Sequence, residues 1–435
     1  MKTLFHILIF EWRNLWRSNM LKALLLVVFG AGIYGIYFGK FEIDKQKARI
    51  SQVQKYERQQ FDSLLHWVKL DTSIIGNKKK YLSAVTPTGV DARRHFIFYF
   101  THDASAGAGL CLGQRDLFPL YYGINATDLA RKVNTGELAN PMKLLTGNFD
   151  LSYVFIFLFP LLIVALFYNL YAGEREGGTL PLLQSQSTSL WAILFGKGLL
   201  RFLIVCGLAT LLLVLGFLLQ GIPWSDNGPL FVQWMLIIFG YCFLWVILMA
   251  AIVYFRQGSA LSAMLGLGIW LIFTLITPTL LNLFVVANEP LPNRAEVIHA
   301  VRKQNDDNWN NPRSFVLDRF YREYPQYNDG DTVNFYKWYY ASFTLLDNEA
   351  NAMQSRFEDQ VKKRNHLLEK WEWLAPAAMI HEKLSALSHT DRRSHLVFLK
   401  EVHESHEVLK TLYYPRIFSG ENFSQEDLQV LSERL

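Results

Sequence analysis

LSYVFIFLFPLLIVALFYNLYAG, residues 151–173, carries no charged side chain and runs straight into Glu174-Arg175-Glu176-Gly177-Gly178-Thr179-Leu180. Its 23 residues rise about 34 Å as a helix, enough to cross a hydrocarbon core of about 30 Å. The abrupt return of charge marks where the chain leaves the apolar layer. Four further uncharged stretches complete the pattern. Residues 23–39 lie between Lys22 and Lys40, and the others are centred within 197–220, 231–255 and 257–288. The fold class is therefore mainly α, a polytopic helical membrane protein with five spans. Pro160 predicts a kink in the second span. The fifth stretch, with 32 uncharged residues and Pro278, is either tilted and kinked or broken near Thr277-Pro278 with partial re-entry.

Hydrophobic residues make up 51% of the 435, yet 19% are charged, so much of the chain must face water. That polar share falls in two long segments, 40–150 and 289–435. Each is too large for a simple loop, and the expectation is one mostly helical domain built from both. Residues 50–68 read as a helix continuing from the first span, 96–100 as a buried strand, and 333–373 as a long helix interrupted at Pro376. The aromatic run from Phe320 to Tyr340 reads chiefly as core packing and membrane-proximal anchoring; the alternative is a ligand-binding or headgroup-level surface. A net charge of +5 is modest and gives no reason to expect nucleic acid. Cys111, Cys206 and Cys242 form no C-x-x-C pair, so neither a disulfide framework nor a thiolate zinc site is suggested.

Basic residues set the orientation. Lys2, Arg13, Arg17 and Lys22 precede the first span, Arg175, Lys197 and Arg201 follow the second, and Arg256 separates the fourth from the fifth. The link 221–230 has neither Lys nor Arg. The positive-inside rule then puts the N-terminus in the cytoplasm and both long segments outside. Phe5, Leu8, Ile9, Trp12, Leu15 and Trp16 recur at helical spacing, so residues 1–22 read as an amphipathic interfacial helix; the alternative is an earlier start to the first span.

Residues 174–196 link the second and third spans, and a resemblance carried by their sequence implies that they form a coupling loop. The run Glu174-Arg175-Glu176-Gly177-Gly178-Thr179-Leu180-Pro181-Leu182-Leu183-Gln184-Ser185, followed by Gly196-Lys197, resembles the signature of ABC-2-type transporter permeases, roughly E-R-E-x-G-T-L-x-L-L-x-S and then G-K. Asn140-Pro141, the lead-in Leu145 to Leu151, Leu112 to Pro119 and Leu374-Ala375-Pro376 are similar to the subgroup with a large extracytoplasmic domain. The chain departs from that pattern at Ser187, where proline is common, and at Pro181, and it lacks the usual sixth span, which reads as missing from the C-terminus.

The resemblance implies a permease subunit of an exporter in a bacterial inner membrane, not itself an enzyme and with no cofactor of its own. ATP and Mg would sit in a separate ATP-binding cassette subunit on the cytoplasmic side. That accords with the absence of a G-x-x-x-x-G-K-[ST] phosphate loop. Glu174, Arg175 and Glu176 would make charge-assisted contacts with that subunit, Gly178 and Thr179 would shape the turn, and Leu180, Leu182 and Leu183 would fill a groove on it. A second permease copy, or a related one, membrane lipid and an envelope partner are the other expected contacts. Without the resemblance, residues 174–176 read as a solvated helix end.

Two other readings stand beside this one. One is a membrane-anchored scaffold or sensor with no transport role. The other is a metal-dependent membrane enzyme using His403 and His406, which share a helical face at i, i+3. The flanking Lys and Glu favour solvated surface histidines instead. Asn328-Asp329-Gly330-Asp331 reads as a turn.

Overall fold

A computed structural model describes residues 2–91, 95–127, 129, 132–133, 148–185, 189–290, 294–328, 330, 333–424, 427 and 431. Asn140, Pro141, residues 145–147, Ser187, Asp329, Asp331 and the Phe5 side chain, singled out in the sequence, lie outside the described residues. Of the described residues 79% are helical, and among them five helices are long and apolar enough to cross a membrane.

The first helix, α1 (Lys2–Arg17), is separate from the span that follows. Ser18 is extended, and its hydroxyl accepts the Leu21 amide at 3.3 Å, so the chain turns and restarts as α2. Helix α2 (Asn19–Val68) has 50 residues, about 75 Å, more than twice a hydrocarbon core. Its first half supplies Leu21, Val28 and Ile36 to the apolar bundle; its second half supplies Phe61 and Leu64 to a separate core. The continuation read from residues 50–68 is thus one unbroken rod joining two domains.

Helices α3 (Ile75–Val85) and α4 (Pro87–Val90) fold back on this rod, followed by strands β1 (Phe98–Thr101) and β2 (Tyr121–Ile124). The strands pair antiparallel, Phe98 opposite Ile124. The free edge of β1 is met by α2: Tyr99 N donates to Glu57 Oε1 at 2.9 Å and Ile97 N to Gln60 Oε1 at 3.3 Å. A lone hairpin is marginal in water, and the helix supplies the missing partners.

Helix α5 (Leu151–Glu176) begins at the buried Asp150, whose Oδ1 accepts the Tyr153 amide at 2.9 Å and whose Oδ2 accepts the Leu112 amide at 2.8 Å. It is the central helix, two thirds buried, against about a tenth for the fifth apolar helix. After α6 (Leu180–Gln184) come α7 (Leu190–Gln220), α8 (Trp224–Tyr254) and α9 (Ser259–Asn288). Both proline expectations resolve in one way. A π turn at Val154–Leu158 precedes Phe159-Pro160, and another at Ile272–Ile276 precedes Thr277-Pro278. Proline donates no hydrogen bond and its ring presses on the preceding turn. Widening that turn by one residue, so that Phe159 N reaches Val154 O and Thr277 N reaches Ile272 O, absorbs the defect. Helix α9 therefore runs through, and the broken, re-entrant alternative is not adopted.

The second polar segment forms α10 (Arg294–Asn310), α11 (Arg313–Glu323), α12 (Phe335–Trp371), α13 (Pro376–Leu387) and α14 (Arg392–Ser419). Phe320, Tyr340, Tyr413, Tyr414 and Phe418 join Phe61, Phe96 and Phe98 in one core. The two long segments thus fold together, as expected. Helix α13 inserts Ala377, Ile380 and Leu384 into the end of the apolar bundle, so the polar domain is seated on it.

Histidine placement corrects the surface reading. His406 is buried beside Asp347 and Lys410, because α14 packs this face on α12; His403 places Nδ1 2.8 Å from the Leu399 carbonyl oxygen. No group of three metal-ligating side chains occurs among the described residues. Burial, reinforced by Arg115 and His389, lowers His102 to about 4, and burial with Lys410, His403 and Lys132 holds His406 well below 6.5. Both rings fold neutral. Below about 6.5 the unfolded chain takes up protons that the folded chain refuses, so this stability is present at pH 7 and is lost as pH falls towards 4. The polar domain should melt earlier at pH 5 than at pH 7. His102→Phe, which keeps the 4.8 Å stack on Phe398, should flatten the slope. An unchanged slope would remove His102 from the account. The paired comparison separates it from carboxylates such as Glu382, raised by burial and acting in the opposite direction.

Candidate coupling site

The last turn of α5 ends at Glu176, and Gly177 and Gly178 then reverse the chain. Gly178 sits at φ +72°, a left-handed conformation that glycine adopts without steric cost. The turn is closed by Gly178 N on Arg175 O at 3.2 Å and Thr179 N on Glu174 O at 3.0 Å. Helix α6 follows at once. Pro181 falls in its first turn, where the missing amide would have no helical partner anyway. The residue that departs from the permease pattern therefore starts the short helix rather than disrupting it.

Glu174 faces inward. Its carboxylate takes a short charge-assisted hydrogen bond from Lys197 Nζ and another from Thr179 Oγ1. Lys197 also lies 3.6 Å from Glu11 Oε2. Glu11 accepts from Arg201 through Nη2 at 2.7 Å and Nε at 3.1 Å. Arg201 Nη1 donates to the Leu166 carbonyl oxygen and, at 3.2 Å, to Asn169 Oδ1. Glu11 is fully buried, Lys197 and Arg201 nearly so. Two acids and two bases thus form a charge-balanced chain, buried at Glu11, Lys197 and Arg201 and partly exposed at Glu174, that ties α1 to α7 and α7 to the end of α5.

The next two residues reach the other way. Arg175 Nη1 donates to the Arg256 carbonyl oxygen at 3.1 Å. The Glu176 carboxylate accepts from Ser259 N at 2.9 Å and Ser259 Oγ at 2.7 Å, capping the start of α9. So Glu174 holds α7 and, through Lys197, α1; Arg175 holds the turn after α8; Glu176 holds α9. What remains outward is α6 itself. Leu182 is 67% exposed, while Leu180 and Leu183 are half-buried, Leu180 against the bundle.

Sequence reasoning missed Glu11. The stripe expected on α1 is divided: Leu8 and Leu15 lean inward with Glu11, whereas Ile9, Trp12 and Trp16 point outward, the two tryptophans stacked at 5.6 Å. A signal was present. Lys197 and Arg201 stand four apart, on one face of an otherwise apolar helix, and such a pair needs an acid beside it. In the sequence Arg201 marks only orientation, and Lys197 marks orientation and closes the G-K element of the signature.

Residues 294–433 match a family described as Domain of unknown function (DUF3526). The match covers α10 to α14 and none of the apolar helices. No curated protein and no solved structure matches the chain.

Proposed function

We propose that this chain is the permease subunit of an ATP-driven ABC-2-type exporter, with its coupling loop turned to a separate ATP-binding cassette subunit. The observation carrying this reading is the α6 hinge: a short helix with an exposed leucine, pivoting at Gly178 and tied through Glu174, Arg175 and Glu176 to α7, α8 and α9. A force applied to Leu182 would move those helices together, because Glu174 pairs with the buried Lys197, while Arg175 and Glu176 add exposed hydrogen bonds to the turn after α8 and to the start of α9. In this reading the E-R-E run transmits movement and the leucines of α6 make the contact. ATP and Mg belong to the partner. The α1 end faces the cytoplasm, the polar domain lies outside the inner membrane, and a second permease copy completes the substrate path.

Leu182→Asp is the direct test. It leaves every ion pair in place, so the melting temperature in detergent should stay within about 1–2 °C, as for a surface change of under ~0.5 kcal/mol. Recovery of an ATP-binding subunit by affinity purification from native membranes should fall at least tenfold. Undiminished recovery with full transport-coupled ATP turnover would reject the contact, and a pull-down of the unaltered chain without any such subunit would reject the permease reading itself.

A further inference from the structure

An apolar groove of about 430 Å³ opens on the side of the bundle between α5, α7 and α8. Phe195, Gly198, Phe202, Phe243, Ala250 and Val253 shape it. A volume of that order is the scale of one fatty-acyl chain. Trp191 also lines it, and on that same ring rests the Arg256 guanidinium, 5.7 Å from the centroid and 5.9 Å from the Tyr171 ring. Arg256 follows Val253 by less than a helical turn, so the cation stands at the mouth of the groove. Among the described residues no carboxylate pairs with it; the hydrogen bonds of Arg256 are made by its backbone, the amide on Val253 O at 3.0 Å and the carbonyl oxygen with Arg175. Tyr254 and Phe255 are exposed beside it, and Tyr254 stacks on Trp191 at 5.6 Å. Exposed aromatic rings at that level form the belt expected where hydrocarbon meets headgroups.

We propose that this groove and Arg256 together bind one anionic phospholipid of the leaflet on the α1 side. One acyl chain lies along Phe195, Phe202 and Phe243, and the phosphate faces the guanidinium. A tail alone would not discriminate among lipids. An arginine that rests against aromatic rings, with no carboxylate taking its N–H groups, keeps that fork for a phosphate, and a second negative charge on the headgroup is not needed. What selects an anionic lipid over a zwitterionic one is the absence of a neighbouring cationic choline from a site whose own charge is positive. The proposal goes beyond the exporter reading and does not depend on it, since the groove and its cation are properties of this chain alone.

The test is native mass spectrometry of the full chain in detergent, titrated with phosphatidylglycerol or phosphatidylcholine of identical chains. The expected result is about a tenfold preference for phosphatidylglycerol, equivalent to about 1.4 kcal/mol. Arg256→Gln should abolish that preference at unchanged melting temperature, and Arg256→Lys should retain part of it. Gly198→Leu should weaken both lipids alike. A Cβ at Gly198 meets Phe167 at an ordinary 3.5 Å, so a larger side chain there extends into the groove rather than into backbone. Equal binding of the two lipids, a preference that survives Arg256→Gln, or displacement by millimolar inorganic phosphate would each overturn the assignment. So would a Gly198→Leu chain that changes from dimer to monomer with its lipid binding intact, because the groove would then be a subunit contact.

Discussion

Glu11→Ala is expected to destabilise the bundle by about 3–5 kcal/mol, the range for removing one partner from a buried ion pair. The carboxylate is fully buried and takes two hydrogen bonds from Arg201, with Lys197 3.6 Å away. Without it Arg201 keeps only the Leu166 carbonyl and Asn169, and Lys197 keeps only Glu174. One positive charge is then left uncompensated in a site with almost no water. Thermal unfolding in detergent, followed by size-exclusion recovery after heating, measures this. Glu11→Met combined with Arg201→Met should recover much of the loss, since apolar replacement of a whole buried pair is often near neutral. If Glu11→Ala melts with the unaltered chain, the network is not a structural clamp, and α1 is held by its apolar contacts alone. In the exporter reading the double variant has a second use: a stable chain with α1 unclamped should turn over ATP without coupled transport.

Gly39→Ala should be nearly as damaging for a steric reason. A Cβ on Gly39 would lie 1.9 Å from the Gly109 carbonyl oxygen, a backbone atom that no rotamer change can move aside. Four residues earlier, a Cβ on Gly35 would meet the Asp150 carbonyl oxygen at 2.8 Å. Helix α2 therefore touches the bare backbone of two loops at the junction between the bundle and the polar domain. Overpacking costs about 1–3 kcal/mol when side chains can give way and more when only backbone can. A loss at or above the top of that range is expected for Gly39→Ala. Gly30, on the exposed face of the same helix with nothing within 4 Å, provides the contrast. Gly30→Ala should be neutral or stabilising by up to about 1 kcal/mol, because alanine restricts the unfolded chain. Equal effects of the two substitutions would mean that the α2 contact is looser than its geometry.

The five apolar helices were legible because hydrocarbon thickness fixes a length, and uncharged runs of that length are rare by accident. The long helix at 333–373 was legible within two residues at each end, Phe335 to Trp371, because Asn334 caps it and Pro376 cannot continue it. Gly178 was marked as a turn for a reason that residue type alone supplies. The coupling loop was legible as a place and not as a mechanism. Glu174, Arg175 and Glu176 were expected to face a partner, and each has an intramolecular one. Side chains of this kind can serve either end of a contact, and nothing in their order states which.

The buried histidine followed the same logic. Lys and Glu around His406 suggest water, but His406 lies on the ordinary helical stripe of α14 with Val402, Leu409 and Tyr413, and that buried face meets Asp347 of α12. Two prolines announced distortion, yet whether a helix kinks, breaks or inserts a π turn depends on the packing on either side of it.

Taken alone, the order of residues settled what one dimension can hold: where apolar runs begin and end, which positions cap or turn, and that water-facing mass is divided between two insertions. Tertiary structure decided which charges meet. Glu11 and Arg201 are separated by 190 positions, and a pairing energy at that separation exists only after α1 and α7 have been brought side by side by the apolar bundle.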